Sequence, residues 1–194
     1  MKNINKSKVA KVDACCDNSV QKAQEELLEK LELSLEKMRK ELGVVPTVDQ
    51  LDEVFYLRDY AVKEGIMSIR LSRWACGRIV DTYTYWASYL HSLIMPNPGS
   101  LFSLTESQTF NEEEKENMGR MISTIMSMVS ANILAGLTKD RKAEGKFINS
   151  AYDYWVNTFN PNMRVIISKA NNMWTAKAAQ YSDKEQEKKK SQKP

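Results

Sequence analysis

"DNSVQKAQEELLEKLELSLEKMRKELG", residues 17–43, is the stretch whose reading decides the fold class. Leu28, Leu31, Leu35, Met38 and Leu42 recur at alternating spacings of three and four. In a helix of 3.6 residues per turn that spacing stacks them on one face. Asp17 to Ser19 offer N-cap candidates and Gly43 a stop signal. Two heptads fall short of a coiled coil. The seam is therefore expected to pack against its own domain or a neighbouring copy rather than as a free-standing zipper.

The same period continues down the chain. In "PTVDQ" (46–50), Thr47 and Gln50 form a capping box, opening a helix that runs to about Glu64, where Gly65 ends or bends it. A third helix spans about Ser68 to Met95 and carries Trp74, Tyr83, Tyr85, Trp86 and Tyr89. "PNPGS" breaks it, leaving 96–110 as a loop. Asn111 with Glu114 caps a fourth helix to about Leu137. Its Ser123, Ser127, Ala131 and Ala135, four apart, make a small-residue face that admits another helix closely. A fifth helix covers roughly 139–159, and Asn160 as N-cap with Pro161 as first residue starts a sixth, ending near Gln180. The expectation is an all-α protein: a single helical-bundle domain of about six helices over 17–180. It is flanked by a flexible basic N-terminal arm, 1–16, and a flexible charged C-terminal tail, 181–194.

The totals agree. The 194 residues are 42% hydrophobic, enough for a sizeable core, and seven Gly with five Pro leave long uninterrupted stretches. Residues 1–13 hold four Lys against one Asp, and 181–194 five Lys against three acids. Of the formal +3, the part between them therefore carries −2. The positive charge sits in the arms, so an anionic partner of the core must be met by individual residues. No apolar run follows Met1, so no secretory signal is expected. "MISTIMSMVSANILAGL" (121–137), with four Ser or Thr and one Asn, reads as a buried helix rather than a membrane span. Cys15, Cys16 and Cys76 form no CxxC and read as reduced thiols.

Catalytic signals are weak. The lone His91 reads as a packing residue, no helix carries Glu-x-x-His spacing, and no Gly-rich phosphate loop is present. No enzyme activity, cofactor or metal is expected. Two other signals stand out. In residues 57–78, Ala61, Gly65, Leu71 and Trp74 fall at the offsets of a helix-turn-helix, with Arg70, Arg73 and Arg78 facing duplex DNA. The alternative is a tight helix–helix corner. In "INSAYDYWVNTFNP" (148–161), Asp153 stands between two tyrosines on a helix that turns Ala151, Trp155 and Phe159 inward. A buried carboxylate needs a cation, and Arg120 in "NMGRMISTIM" is the expected partner. The pair is either purely structural or leaves guanidinium donors for a phosphate.

"SAYDYWVNTFNP" resembles the Ala–aromatic–Asp–aromatic signature of coat proteins from flexible filamentous plant RNA viruses (potyvirus, potexvirus, carlavirus and closterovirus types). "MRKELGVV" (38–45) is similar to the Leu-Gly-Val that opens the family's core, "EGIMS" to its Gly ahead of a Ser, and "GRMISTIM" to its Arg-bearing helix. The resemblance places the family's RNA-binding trio on Ser68, Arg120 and Asp153, with Ser72 or Ser103 as alternatives for the serine. It implies a capsid protein that polymerises helically around single-stranded RNA, holding phosphates without reading sequence. The partners implied are single-stranded RNA and further copies in a filament, with no membrane, and the location is the virion and host cytoplasm. Tyr152, Tyr154 and Trp155 either stack bases or pack the core. Two other readings stay open: a DNA-binding regulator acting through 57–78, and a helical scaffold or adaptor whose partner engages the Leu28–Leu42 seam.

Overall fold

The protein is all-α. A computed structural model describes the backbone of residues 6–64 and 71–191. The elements are α1 (Lys6–Leu42), α2 (Val48–Phe55), α3 (Leu57–Glu64), α4 (Leu71–Ile94), α5 (Leu101–Ser107), α6 (Glu112–Thr138) and α7 (Arg141–Tyr154). A π-helical turn (Trp155–Phe159) and α8 (Asn160–Ser191) complete the chain. No strand occurs among the described residues. Two compact units emerge: one joins the chain up to Ile79 with Ala135–Asn149, the other Val80–Leu134 with Ser150 onward.

In the first unit, Leu31, Leu35 and Met38 of α1 are buried, and α1 contacts both α2 and α3. Val48, Leu51, Phe55, Leu57 and Ala61 join them in the core. The seam is thus consumed inside its own unit. Gly43 ends α1 at φ +65°, and the Val44 amide reaches back to the Arg39 carbonyl at 2.9 Å, the bond of a Schellman cap. The Thr47–Gln50 capping box forms in both directions, at 2.8 and 3.2 Å. The single helix expected over 48–64 is broken at Tyr56, whose φ of 53° is left-handed. Asp52 makes the break possible, its Oδ1 accepting from the Arg58 amide at 2.7 Å and so supplying a partner just past the turn.

In the second unit, Tyr83, Leu90 and Leu93 of α4 are buried with Met118, Met121 and Ile125 of α6 and Phe159, Met163 and Ile166 beyond α7. The Asn111–Glu114 capping box closes at 2.8 and 2.9 Å. Three expectations fail here. The stretch 96–110 is not all loop, because Ser100 caps the short helix α5 by accepting from the Ser103 amide. Asn160 is not an N-cap: its φ and ψ are −60° and −45°, and its amide donates to the Trp155 carbonyl, five residues back. That wide turn lets Pro161, which has no N–H, sit inside a continuing helix. Finally, α6 is not a buried helix. It is long and apolar enough to cross a membrane by length and composition, yet only 22% of its apolar window is buried within the protein. Ser123, Ser127 and Ala131 of its small-residue face are exposed, and only Ala135 is covered.

The segments expected as flexible arms are helical over much of their length. α1 begins at Lys6 and α8 runs to Ser191. Neither 6–16 nor 181–191 contains Gly or Pro, and the Lys, Glu and Gln of the tail favour helix intrinsically. His91, expected to pack, is exposed in the last turn of α4.

Candidate anion-binding pocket

The first unit contains an open cavity of about 570 Å³ whose lining includes Lys37, Arg73, Lys139 and Arg141 together with Glu41 and Glu144. Its organising group is Glu144, only 5% exposed. Glu144 lies on the inward stripe of α7 with Phe147 and Ile148, both buried, at the i, i+3, i+4 spacing of one helix face. A carboxylate so placed costs several kcal/mol unless it is satisfied. Ser72 Oγ donates to Glu144 Oε2 at 2.7 Å, and Arg73 Nη1 lies 3.8 Å from Oε1.

Two glycines make this possible. A Cβ on Gly136 would lie 2.9 Å from both Cζ and Nη2 of Arg73, so the bare α-carbon is the surface on which that guanidinium rests. A Cβ on Gly145 would overlap the Leu42 backbone carbonyl, so only glycine lets α7 approach the end of α1 this closely. Asn149 fastens the same junction, accepting from the Val45 amide at 2.8 Å and donating to the Gly43 carbonyl at 3.0 Å. Lys139 ends α6 at φ 55°, and Asp140 Oδ1 caps α7 by accepting from the Lys142 and Ala143 amides at 2.9 and 3.1 Å.

Four cationic side chains therefore face two carboxylates around one cavity. Of the carboxylates, Glu144 engages Arg73, and Glu41 accepts from Arg141 at 3.3 Å. The surplus positive charge and the planar guanidinium forks suit a phosphate or another oxyanion. Cys76, whose thiol lies 3.9 Å from the Glu144 carbonyl, is no nucleophile. Burial, with Glu144 adding to it, pushes the thiol pKa up to about 12, so it stays protonated.

The residues expected to bind RNA stand elsewhere. Asp153 is exposed, not buried, and its Oδ1 accepts from Asn157 Nδ2 at 2.7 Å. The Arg120 side chain is 66% exposed and lies 4.0 Å from Glu116 on its own helix. Each finds its neighbour one turn away on its own stretch of helix, and no buried Arg120–Asp153 pair exists. The reason is helical phase: Asp153 lies about 200° round the helix from the buried Ala151. Ser68, Gly65 and Arg70 fall outside the described residues. Of the alternative serines, Ser72 is buried on Glu144, while Ser103 Oγ accepts from the Asn97 amide at 3.1 Å. Of the arginines expected to face DNA, the two described, Arg73 and Arg78, are engaged inside their unit. Arg73 lies on Gly136 and Glu144, and the Arg78 guanidinium is 3.2 Å from the centroid of the Tyr60 ring.

Of Tyr152, Tyr154 and Trp155, the last two join the aromatic cluster around Tyr83 and Phe159, with the Tyr83 hydroxyl donating to the Ala151 carbonyl at 2.6 Å. The sequence reading missed Glu144. The signal was present, since "AEGKFINSA" sets a charged residue in phase with Phe147, Ile148 and Ala151. Comparisons with protein-family models, with curated proteins and with solved structures find no match to this chain.

Proposed function

We propose that the protein binds single-stranded RNA through its phosphates, without reading sequence, and coats it as the repeating subunit of a filament. The observation that carries the reading is the pocket in which buried Glu144 holds Arg73 beside Lys37, Lys139 and Arg141. An arginine beside a buried acid, on the wall of a cavity that holds three further cations, suits a phosphate. The reading rests on Ser72, Arg73 and Glu144 rather than on Ser68, Arg120 and Asp153. Self-association is supported by the exposed face of α6, where Met126, Ile133 and Leu134 stand in water beside Ser123 and Ser127 and no charge intervenes. The order of the coat-like stretches along the chain supports the viral setting.

The test is RNA binding and negative-stain microscopy of the purified protein with and without RNA. Affinity for an unstructured oligonucleotide is expected to fall steeply with salt and to be indifferent to sequence. Arg73→Ala is expected to abolish both binding and filaments while leaving the helical circular dichroism intact. If Arg120→Ala or Asp153→Ala abolishes binding and Arg73→Ala does not, the phosphate site is the other pair. If RNA is never bound at low salt, the reading falls. A duplex-DNA regulator draws no support from Arg78, whose guanidinium lies over the Tyr60 ring, or from Arg73, which lines the concave pocket beside Glu144. An adaptor engaging the Leu28–Leu42 seam would find its central residues already covered.

A further inference from the structure

The second unit holds another cavity, a groove of about 340 Å³ with a different chemistry. Trp86 of α4 forms one wall. Trp155 and Phe159 of the π-helical turn, their ring centroids 5.1 Å apart, form another. Phe159 in turn meets Trp86 at 6.4 Å. Asn160, Arg164 and Ser168, at four-residue steps along α8, supply the polar rim.

Three properties fix what this groove would take. Its size is at the lower end of small-ligand pockets, and it is lined by aromatic surface with a few convergent polar groups. The two indoles are half-buried, leaving ring surface to the groove, and ring faces favour a planar aromatic guest. Arg164 is the one charged residue in the lining. It is exposed, and its Nε is oriented by Asn160 Oδ1 at 3.3 Å, which leaves the terminal nitrogens of the fork directed away from that bond. From Asn160 to Ser182, α8 carries Arg164, Lys169 and Lys177 but no acid. Lys169 is held by Glu114 at 2.6 Å. The groove thus pairs an aromatic recess with a single positive rim.

We propose that this groove binds one nucleotide: the base stacks against the Trp86 and Trp155 rings, with Phe159 buried behind them, and the phosphate meets Arg164. The guest is either a free mononucleotide or one residue of a strand held elsewhere on the protein. The π-helical turn has a role in this. It advances the helix by one extra residue, which lets Trp155 and Phe159 share a side with Asn160 and Arg164, and such turns recur at functional sites.

The experiment is a nuclear magnetic resonance titration of the full chain, following the four tryptophan indole N–H signals. Adenosine monophosphate, uridine monophosphate, adenosine, inorganic phosphate and a short oligo(A) are the probes. The mononucleotides are expected to shift Trp86 and Trp155 in a saturable way and to leave Trp74 and Trp174 in place. Adenosine should bind about tenfold more weakly, and inorganic phosphate should shift neither indole, since one charge-assisted bond is worth roughly that factor. Arg164→Gln, an exposed change that spares the core, should erase the difference between the monophosphate and the nucleoside. Ser168→Tyr, also at the rim, should block both. Oligo(A) shifting the two indoles where mononucleotides do not would assign the groove to a strand alone.

The inference is overturned by any of these results. No probe shifts the two indoles, all four indoles shift alike, or Arg164→Gln leaves the monophosphate preference unchanged. Shifts that follow protein concentration without ligand would give the groove to a second copy and overturn it as well. The titration needs neither filaments nor long RNA, so it can succeed where the coat reading fails. Conversely, RNA binding that persists through the Arg73 pocket would survive a failed titration.

Discussion

Two carboxylates on α7 stand nine residues apart and have opposite fates. Glu144 lies in "RKAEGKF", among charged neighbours, and is buried on Ser72 and Arg73. Asp153 lies in "AYDYW", among aromatics, and is exposed with Asn157 as its partner. Adjacent residues in sequence point in different directions on a helix, so the hydrophobicity of immediate neighbours says little about burial. Phase against the buried stripe decides it.

Gly145→Ala is the strongest way to break the Glu144 end of this comparison. Its Cβ would meet backbone rather than a movable side chain, and a loss of about 3 kcal/mol in urea unfolding is expected. The direct comparison comes next. Glu144→Leu removes the acceptor of Ser72 and the ion-pair partner of Arg73 and should cost about 2 kcal/mol, part of Arg73 being open to water. Asp153→Leu should stay within about 0.5 kcal/mol. Equal costs for the two would mean that burial is not what separates them.

Gly136→Ala sharpens the contrast in a different way. The atoms it meets are the flexible end of Arg73, so stability should change by less than about 1 kcal/mol. The displaced fork should nevertheless lower RNA affinity about tenfold, the worth of one lost charge-assisted contact. Binding by filter retention, with unfolding measured in parallel, separates the two effects.

Glu114 gives an intermediate case. Lys169 donates to its two oxygens at 2.7 and 2.6 Å and, with the Asn111 amide, holds the carboxyl below its ordinary range. A depressed folded value means that its stabilisation is present above the unfolded carboxylate value of about 4.3 and is lost as pH falls through the folded one. Solvent exposure keeps the effect small. Glu114→Gln should flatten the dependence of unfolding midpoint on pH below about 4.3, and an unchanged acid limb would place the stabilising charge elsewhere.

Much of the fold was legible because it is written in short-range spacing. The seam of α1, the Gly43 stop and both capping boxes join residues within a turn or two of each other. The breaks were less legible. Tyr56 occupies a left-handed position that usually asks for glycine, and nothing around it announces the turn except Asp52 waiting to accept from Arg58. Pro161 signalled an irregularity, but the chain absorbed it with a wider turn instead of a new helix start. An acid beside an arginine does occur, but at Glu144 and Arg73 and not at Asp153 and Arg120. The aromatic neighbours of Asp153 mark it out in the sequence, whereas Glu144 is marked only by its phase with Phe147, Ile148 and Ala151.

By itself, then, the sequence determined that the chain is helical, where most helices begin, and that α1 has one face to bury. Those properties follow from the 3.6-residue period and from capping partners three residues apart. Only the tertiary structure decided that Ser72, Arg73, Gly136 and Glu144 meet, and that Arg120 and Asp153 do not. Such meetings join residues tens of positions apart, and they depend on how closely two helices approach. Here that distance is set by a missing side chain at Gly145.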